Sequence, residues 1–214
     1  MTKGRLEAFS DGVIAVAITL LALDLKVSAA SIAAHHGLWG ALVADWPKFA
    51  AYVLSFTVIG IMWVNHHGLM DRVAVVDRTL LFINLLLLLF IVALPFSTSL
   101  FAEFLLEGGN DSHVAAAVYS ATLFGCAIGF NLLWLWIIRD RRRLHEAIDP
   151  DVARTQFRRF GIGIFVYLAA VAVSFVSAVF TLAMISVVAV YYVVDQLPRG
   201  RDADVPDAAD PNEE

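Results

Sequence analysis

Few residues in this chain have the means to do chemistry, and the densest group lies near its start. Arg5-Leu6-Glu7-Ala8-Phe9-Ser10-Asp11 runs directly into the apolar series Gly12 to Leu23. An ionisable side chain inside an apolar segment is costly in a bilayer and marks a functional position, so Asp11 is a candidate ion ligand, proton carrier or anchor. A second group, Trp63-Val64-Asn65-His66-His67, closes another apolar run, and Asn84 stands just inside a third. Neutral imidazole is a common metal ligand. Adjacent histidines on a helix point about 100° apart, however, so His66 and His67 converge on one ion only with help from Asp11 or Asp71. No HExxH motif or ligand-spaced cysteine set accompanies them, and the one cysteine, Cys126, reads as a small buried hydrophobe in an apolar run. The favoured role for the histidines is to hydrogen-bond Asp11 or helix ends, satisfying polar groups that lipid cannot. No metal or cofactor is expected.

The elements that must position these groups are membrane helices. Of 214 residues 60% are hydrophobic and only 16% charged, with a mean hydropathy of +0.76, which excludes an ordinary soluble domain. The net charge of -5 implies neither an acidic nor a basic partner, and no nucleic acid. A secretory signal peptide would also begin with Lys3, Arg5 and an apolar core. Glu7 and Asp11 fall where such a peptide is neutral or basic, and Asp24 and Lys26 precede any cleavage site.

A spanning helix needs about 20 mostly apolar residues, and six candidates are present. The first covers about residues 8–25; a loop with Gly37, Gly40, Asp45 and Pro47 follows, and the second covers 49–65. The third is expected at 79–101 and the fourth at 114–138. Arg139 to Arg159 is a basic stretch expected to continue partly as a cytosolic helix. The uncharged run from Phe160 to Val194, 35 residues, is too long for one span and divides into two antiparallel helices turning near Ser174 to Ala178. Residues 1–197 thus form one six-helix transmembrane domain. Residues 198–214, acidic with Pro and Ala, form an expected disordered cytosolic tail.

Orientation follows from basic residues in alternate loops. With both ends cytosolic, thirteen of the fifteen Lys and Arg lie inside, leaving only Lys26 and Lys48 outside. The external loops then carry Asp24, Asp45, Glu103, Glu107 and Asp111, either a cation-concentrating vestibule or solvated loop acids. The same topology gathers Arg5, Ser10, Asp11, Asn65, His66, His67 and Asn84 at one depth, near the cytosol.

In the first helix, Gly12, Val16, Thr19 and Leu23 recur at spacings of four, three and four and so share one face. In a monomeric bundle these are packing positions, with Thr19 bonded to its own helix. Around an axis of several copies they become a pore lined by rings of Val, Thr and Leu, in which apolar rings gate by dewetting.

Arg5-x-x-x-Phe9-Ser10-Asp11 followed by Gly12 to Leu21 resembles the signature first helix of the lysosomal potassium channel family (transmembrane protein 175) and its bacterial relatives. Trp63-x-Asn65-His66-His67 and Pro95-Phe96 are similar to that family's pattern too. The resemblance implies a potassium-permeable, non-enzymatic channel of a bacterial plasma membrane, one six-helix repeat per subunit, assembled as a homotetramer in the bilayer. It implies a pore lined by the first helix, with Val16, Thr19 and Leu23 at the constriction and selectivity positions. Val16 stands where the family usually has Ile or Leu, which moves the tightest ring towards Leu23 or widens it. Neither the family nor this sequence has a TVGYG loop, so discrimination would rest on partial dehydration. Arg5, Phe9, Ser10, Asp11, Trp63, Asn65, His66, His67 and Asn84 become a structural network. The rival of a different class is a proton-coupled secondary transporter using Asp11 and His66, with Pro95 as its hint of a broken helix; a membrane metalloenzyme using His66 and His67 is weaker.

Overall fold

The structure, a computed structural model, describes residues 2–144 and 150–196; the expected tail at 198–214 lies outside them. Helix α1 (Lys3–Leu21) ends in a 3₁₀ turn (Ala22–Asp24). Two short helices follow, α2 (Ala29–Ala34) and α3 (Leu38–Ala44), then the long α4 (Trp46–Met70) and α5 (Arg78–Phe104). The remainder is α6 (Gly109–Ile138), a 3₁₀ turn (Arg141–Arg143), α7 (Pro150–Ser174) and α8 (Ala178–Gln196).

Among the described residues four helices, α1, α4, α5 and α6, are long and apolar enough to cross a membrane, and two apolar stretches, Gly161–Ser174 and Ala178–Val194, are shorter than that length. The turn between α7 and α8 falls at 175–177, within the expected 174–178. The loop before the second span is instead largely helical. Ser28 caps α2 by accepting from the Ser31 N–H, and Pro47 enters α4 in its first turn, where its missing N–H costs nothing. The fourth long helix starts five residues earlier than expected, because Gly108 adopts φ +71° and Asp111 then sits in the first turn, favourably placed against the helix dipole.

Helix α6 is the hub. It is the most buried of the four long helices and packs against α5, α7 and α8. Small residues let it do so: Gly125 and Gly129, four apart on one face, admit Phe90 and Leu87 of α5. A Cβ on Gly129 would stand 3.0 Å from the Leu87 Cα, and one on Gly125 would overlap the Phe90 ring. Gly129→Leu should therefore separate the two helices and cost about 3 kcal/mol, read as a lower unfolding temperature in detergent.

Polar side chains inside the bundle bond to one another. Thr98 donates to the Ser55 Oγ (2.8 Å), which bonds the Tyr119 hydroxyl (2.9 Å), joining α5, α4 and α6, while Phe101 stacks on Tyr119. In a medium without water such links replace hydration and fix which faces meet.

Candidate pore helix and its anchoring network

One face of α1 faces the bundle and the other does not. Leu6, Ser10, Ile14, Ala17 and Leu21 are buried against α4 and α5, at spacings of three and four. The opposite side carries Arg5, Phe9, Gly12, Val16, Thr19 and Leu23, all exposed, with Val16 57% and Leu23 61% accessible. Only 28% of the α1 span is buried, against 56% for α6, so no other described element covers that face. Thr19 donates its hydroxyl to the Val16 carbonyl at 2.8 Å, the bond expected of a packing position. That bond uses the only donor of the side chain and leaves its oxygen lone pairs uncommitted.

The buried face is anchored by a relay through three helices. Asn84 on α5 donates through Nδ2 to the Ser10 Oγ (2.9 Å), and its Oδ1 meets the His66 Nε2 of α4 at 2.8 Å. All three side chains are fully buried. Because the Asn84 oxygen accepts, His66 bears its proton on Nε2, and the carboxamide is used at both ends.

Asp11 lies beside this relay but outside it. Its Oδ1 accepts from the Trp63 indole N–H at 2.9 Å, and the Trp63 ring stacks on His67, whose imidazole lies 3.7 Å from Asp71. For His66 the expectation of a bond to Asp11 or a helix end is thus corrected, whereas His67 does meet Asp71, the residue that ends α4. His66 finds Asn84, while Trp63, one turn earlier on α4, reaches the carboxylate. Asn65 also leaves the expected cluster, since the next residue along a helix turns by about 100°. It lines a cavity of about 50 Å³ with Met62, Phe130, Gly163, Tyr167 and Tyr192, between α4, α6, α7 and α8. Arg5 is exposed one turn before Phe9. Among the described residues no three His, Cys, Asp or Glu side chains are grouped to hold a metal ion.

At the far end of α1 the expected acidic vestibule has mixed sign. Asp24, Asp45 and Glu103 share a pocket of about 380 Å³ with Lys26 and Lys48, and Lys48 pairs with Asp45 at 3.0 Å.

A second junction was not foreseen from the sequence. Asp77 caps α5, its Oδ1 accepting from the Leu80 N–H at 2.7 Å. The same carboxylate accepts from the Trp136 indole (3.1 Å to each oxygen) and from the Arg143 Nε at 2.9 Å. Only the cap was legible, as an Asp immediately before an apolar run. Burial alone would raise the Asp77 carboxyl, but the Leu80 and Trp136 hydrogen bonds and the Arg143 charge outweigh it and hold it below its ordinary value. A carboxyl depressed in the folded state stabilises fully above its unfolded pKa, about 3.9, and loses that contribution as pH falls through the folded value. Wild type should therefore exceed Asp77→Asn in unfolding temperature at neutral pH, and the gap should close below about pH 4. A gap independent of pH would exclude the charge.

The bacterial relatives decide the family. A Streptomyces collinus protein named a potassium channel is 49% identical over 196 residues, covering 92% of this chain and 94% of that one. The chain belongs to the TMEM175 family. The family model described as endosomal/lysosomal potassium channel TMEM175 matches residues 5–95, which hold α1, α4 and most of α5, and with them every member of the anchoring network. The crystal structure of a lysosomal potassium-selective channel TMEM175 homolog from Chamaesiphon minutus superposes with a TM-score of 0.80 at 37% identity, covering 90% of this chain and 97% of that one. A chicken relative named an endosomal/lysosomal proton channel TMEM175 is 32% identical over 151 residues, and this chain spans 30% of its length. As a TMEM175 family member with several membrane-length helices, the chain is a membrane protein.

Proposed function

We propose that this chain is a potassium-permeable channel of a bacterial plasma membrane, six-spanning with both ends cytosolic. It acts as a homotetramer whose four α1 helices enclose a central pore. The observation that carries this reading is the two-sidedness of α1: one face is held by a buried polar relay, and the opposite face, Gly12-Val16-Thr19-Leu23, is left open by every other described helix. A helix anchored so firmly on one side presents a defined row of side chains on the other. The potassium-channel names of the bacterial relatives support the same activity.

In the assembled pore Val16 and Leu23 supply apolar rings that a hydrated ion crosses only by shedding water, and Thr19 lies between them. Its donated hydroxyl turns lone pairs, not a proton, towards the axis, so four such oxygens replace part of the lost hydration. Sodium holds its water more tightly, so partial dehydration penalises it more than potassium. Ser10 and Asp11, with Trp63, His66, His67 and Asn84, hold this helix in place and take no part in coordination. No cofactor is needed; potassium is the ligand.

The test is flux through purified protein in liposomes under opposed potassium and sodium gradients. A potassium-selective, linear current without proton movement is expected, and its absence ends the proposal. The second reading is proton permeation, favoured by the names of the vertebrate relatives. A relay through Asp11 and His66 would need them in contact; here they bond to Trp63 and Asn84 respectively, and α5 runs unbroken through Pro95.

Removing the Asp11 carboxylate tests the anchoring role. A hydrogen bond to a charged group contributes about 1.5 kcal/mol, roughly tenfold in an equilibrium. Asp11→Ala should lower potassium flux per protein by about that factor, through assembly or opening, with the reversal potential unchanged. A shifted reversal potential would place Asp11 in the permeation path.

A further inference from the structure

We propose that Asp77, Trp136 and Arg143 form a clamp that sets the position of α5 and, through Asn84, that of α1, so that the chain just after α6 controls how readily the pore opens. In its last clause this rests on the channel reading; the positional clause stands on geometry alone.

The clamp is made of both side chains and backbone. Arg143 donates through Nε to the Asp77 Oδ2 and through a terminal nitrogen to the Trp136 carbonyl at 2.9 Å, and its guanidinium lies 4.1 Å from the centre of the Trp136 ring. A planar, forked cation that stacks on an indole while gripping a carboxylate is a role that lysine cannot fill. The Ala74 N–H donates to the Arg143 carbonyl at 2.7 Å, and Val73 pairs with Leu144 as an isolated antiparallel bridge, with Val73 fully buried. The link between α4 and α5 is therefore stitched to the chain leaving α6.

Helix α1 meets the start of that link at one place and α5 at another. Lys3 donates to the Asp71 carbonyl at 3.3 Å, and Ser10 accepts from Asn84. Asn84 follows Asp77 on α5 by seven residues, or about 10 Å along a helix that transmits displacement as a rod. Asp77, Trp136 and Arg143 touch no residue of α1 in any of these bonds, so they act as positioning residues through Asn84 and Asp71.

The test uses the full chain in liposomes and reads amide hydrogen exchange in α1 beside potassium flux. Asp77→Asn keeps the shape of the cap and removes its charge; Arg143→Ala removes the guanidinium. Both should lower protection at residues 5–14 by roughly tenfold, although those residues lie outside the clamp. Flux should change in the same sense as in Asn84→Ala. Adding Asp77→Asn to Asn84→Ala should change flux by less than about twofold further, because the two act on one path. Arg143→Lys, which keeps the charge and guards against a variant that fails to fold, should show the same α1 change at smaller amplitude. Exchange changes confined to residues 71–80 and 134–144, or fully multiplicative flux effects, would overturn the clamp. Absence of potassium flux in wild type would instead sink the channel reading, while α1 exchange would still decide the positional claim.

Discussion

Asn84→Ala should be the most damaging single truncation in the anchoring network, lowering stability by roughly 2–5 kcal/mol. The carboxamide is the only described partner of both Ser10 and His66, and all three lie out of reach of water. Truncating it strands a hydroxyl and an imidazole, each at the desolvation cost of a buried polar group, about 1–3 kcal/mol. The loss also falls where α1 is held to its neighbours, so it should appear as early dissociation or unfolding on heating in detergent. The control is Ser10→Ala, which removes one bond and leaves the Asn84–His66 pair, so it should cost less than half as much. If Asn84→Ala and Ser10→Ala prove equally mild, the relay is not what holds α1.

The second large effect is on ion preference. Thr19→Val keeps the volume and branching of the side chain and removes the oxygen, so in the proposed channel it should leave assembly intact and cut potassium over sodium selectivity by about threefold. Under opposed potassium and sodium gradients that moves the reversal potential by about 30 mV towards zero, at roughly 59 mV per tenfold for a monovalent ion. Thr19→Ala removes the same oxygen and also widens the ring, so its loss of selectivity should be at least as large, with conductance raised. Unchanged reversal potentials in both variants would take Thr19 out of the filter and leave discrimination to the apolar rings at Val16 and Leu23. The pairing of Thr19 with the Val16 carbonyl makes Thr19→Val mild for folding, since the hydroxyl holds no other helix in place.

These two predictions concern opposite faces of one helix, and the separation of the faces was visible in part from spacing alone. Gly12, Val16, Thr19 and Leu23 fall on one side because 3.6 residues make a turn, whatever surrounds the helix. Long apolar runs bounded by charges placed the four long helices to within a few residues, and the uncharged run after Phe160 divided where its length required. Such features are local: composition and period determine them without reference to any partner.

What depended on partners was legible only as a neighbourhood. Alternating topology brought Ser10, Asp11, His66 and Asn84 to one depth, but which atom meets which depends on helix rotation and on a vertical offset of a few ångströms. Rotation placed Trp63 on Asp11 and His66 on Asn84, and turned Asn65 away into a cavity among α6, α7 and α8. The close approach of α5 to α6 through Gly125 and Gly129, and the joining of Asp77 to Trp136 and Arg143 across 59 and 66 residues, follow from packing that no window of sequence contains. The sequence by itself determined a membrane helix with a charged, Ser-Asp start and a row of small and aliphatic residues beyond it. The tertiary structure decided that Ser10 carries the buried bond, that Asp11 is held by an indole, and that the row from Gly12 to Leu23 is the face left open, because only the arrangement of α4 and α5 determines which side of α1 is already occupied.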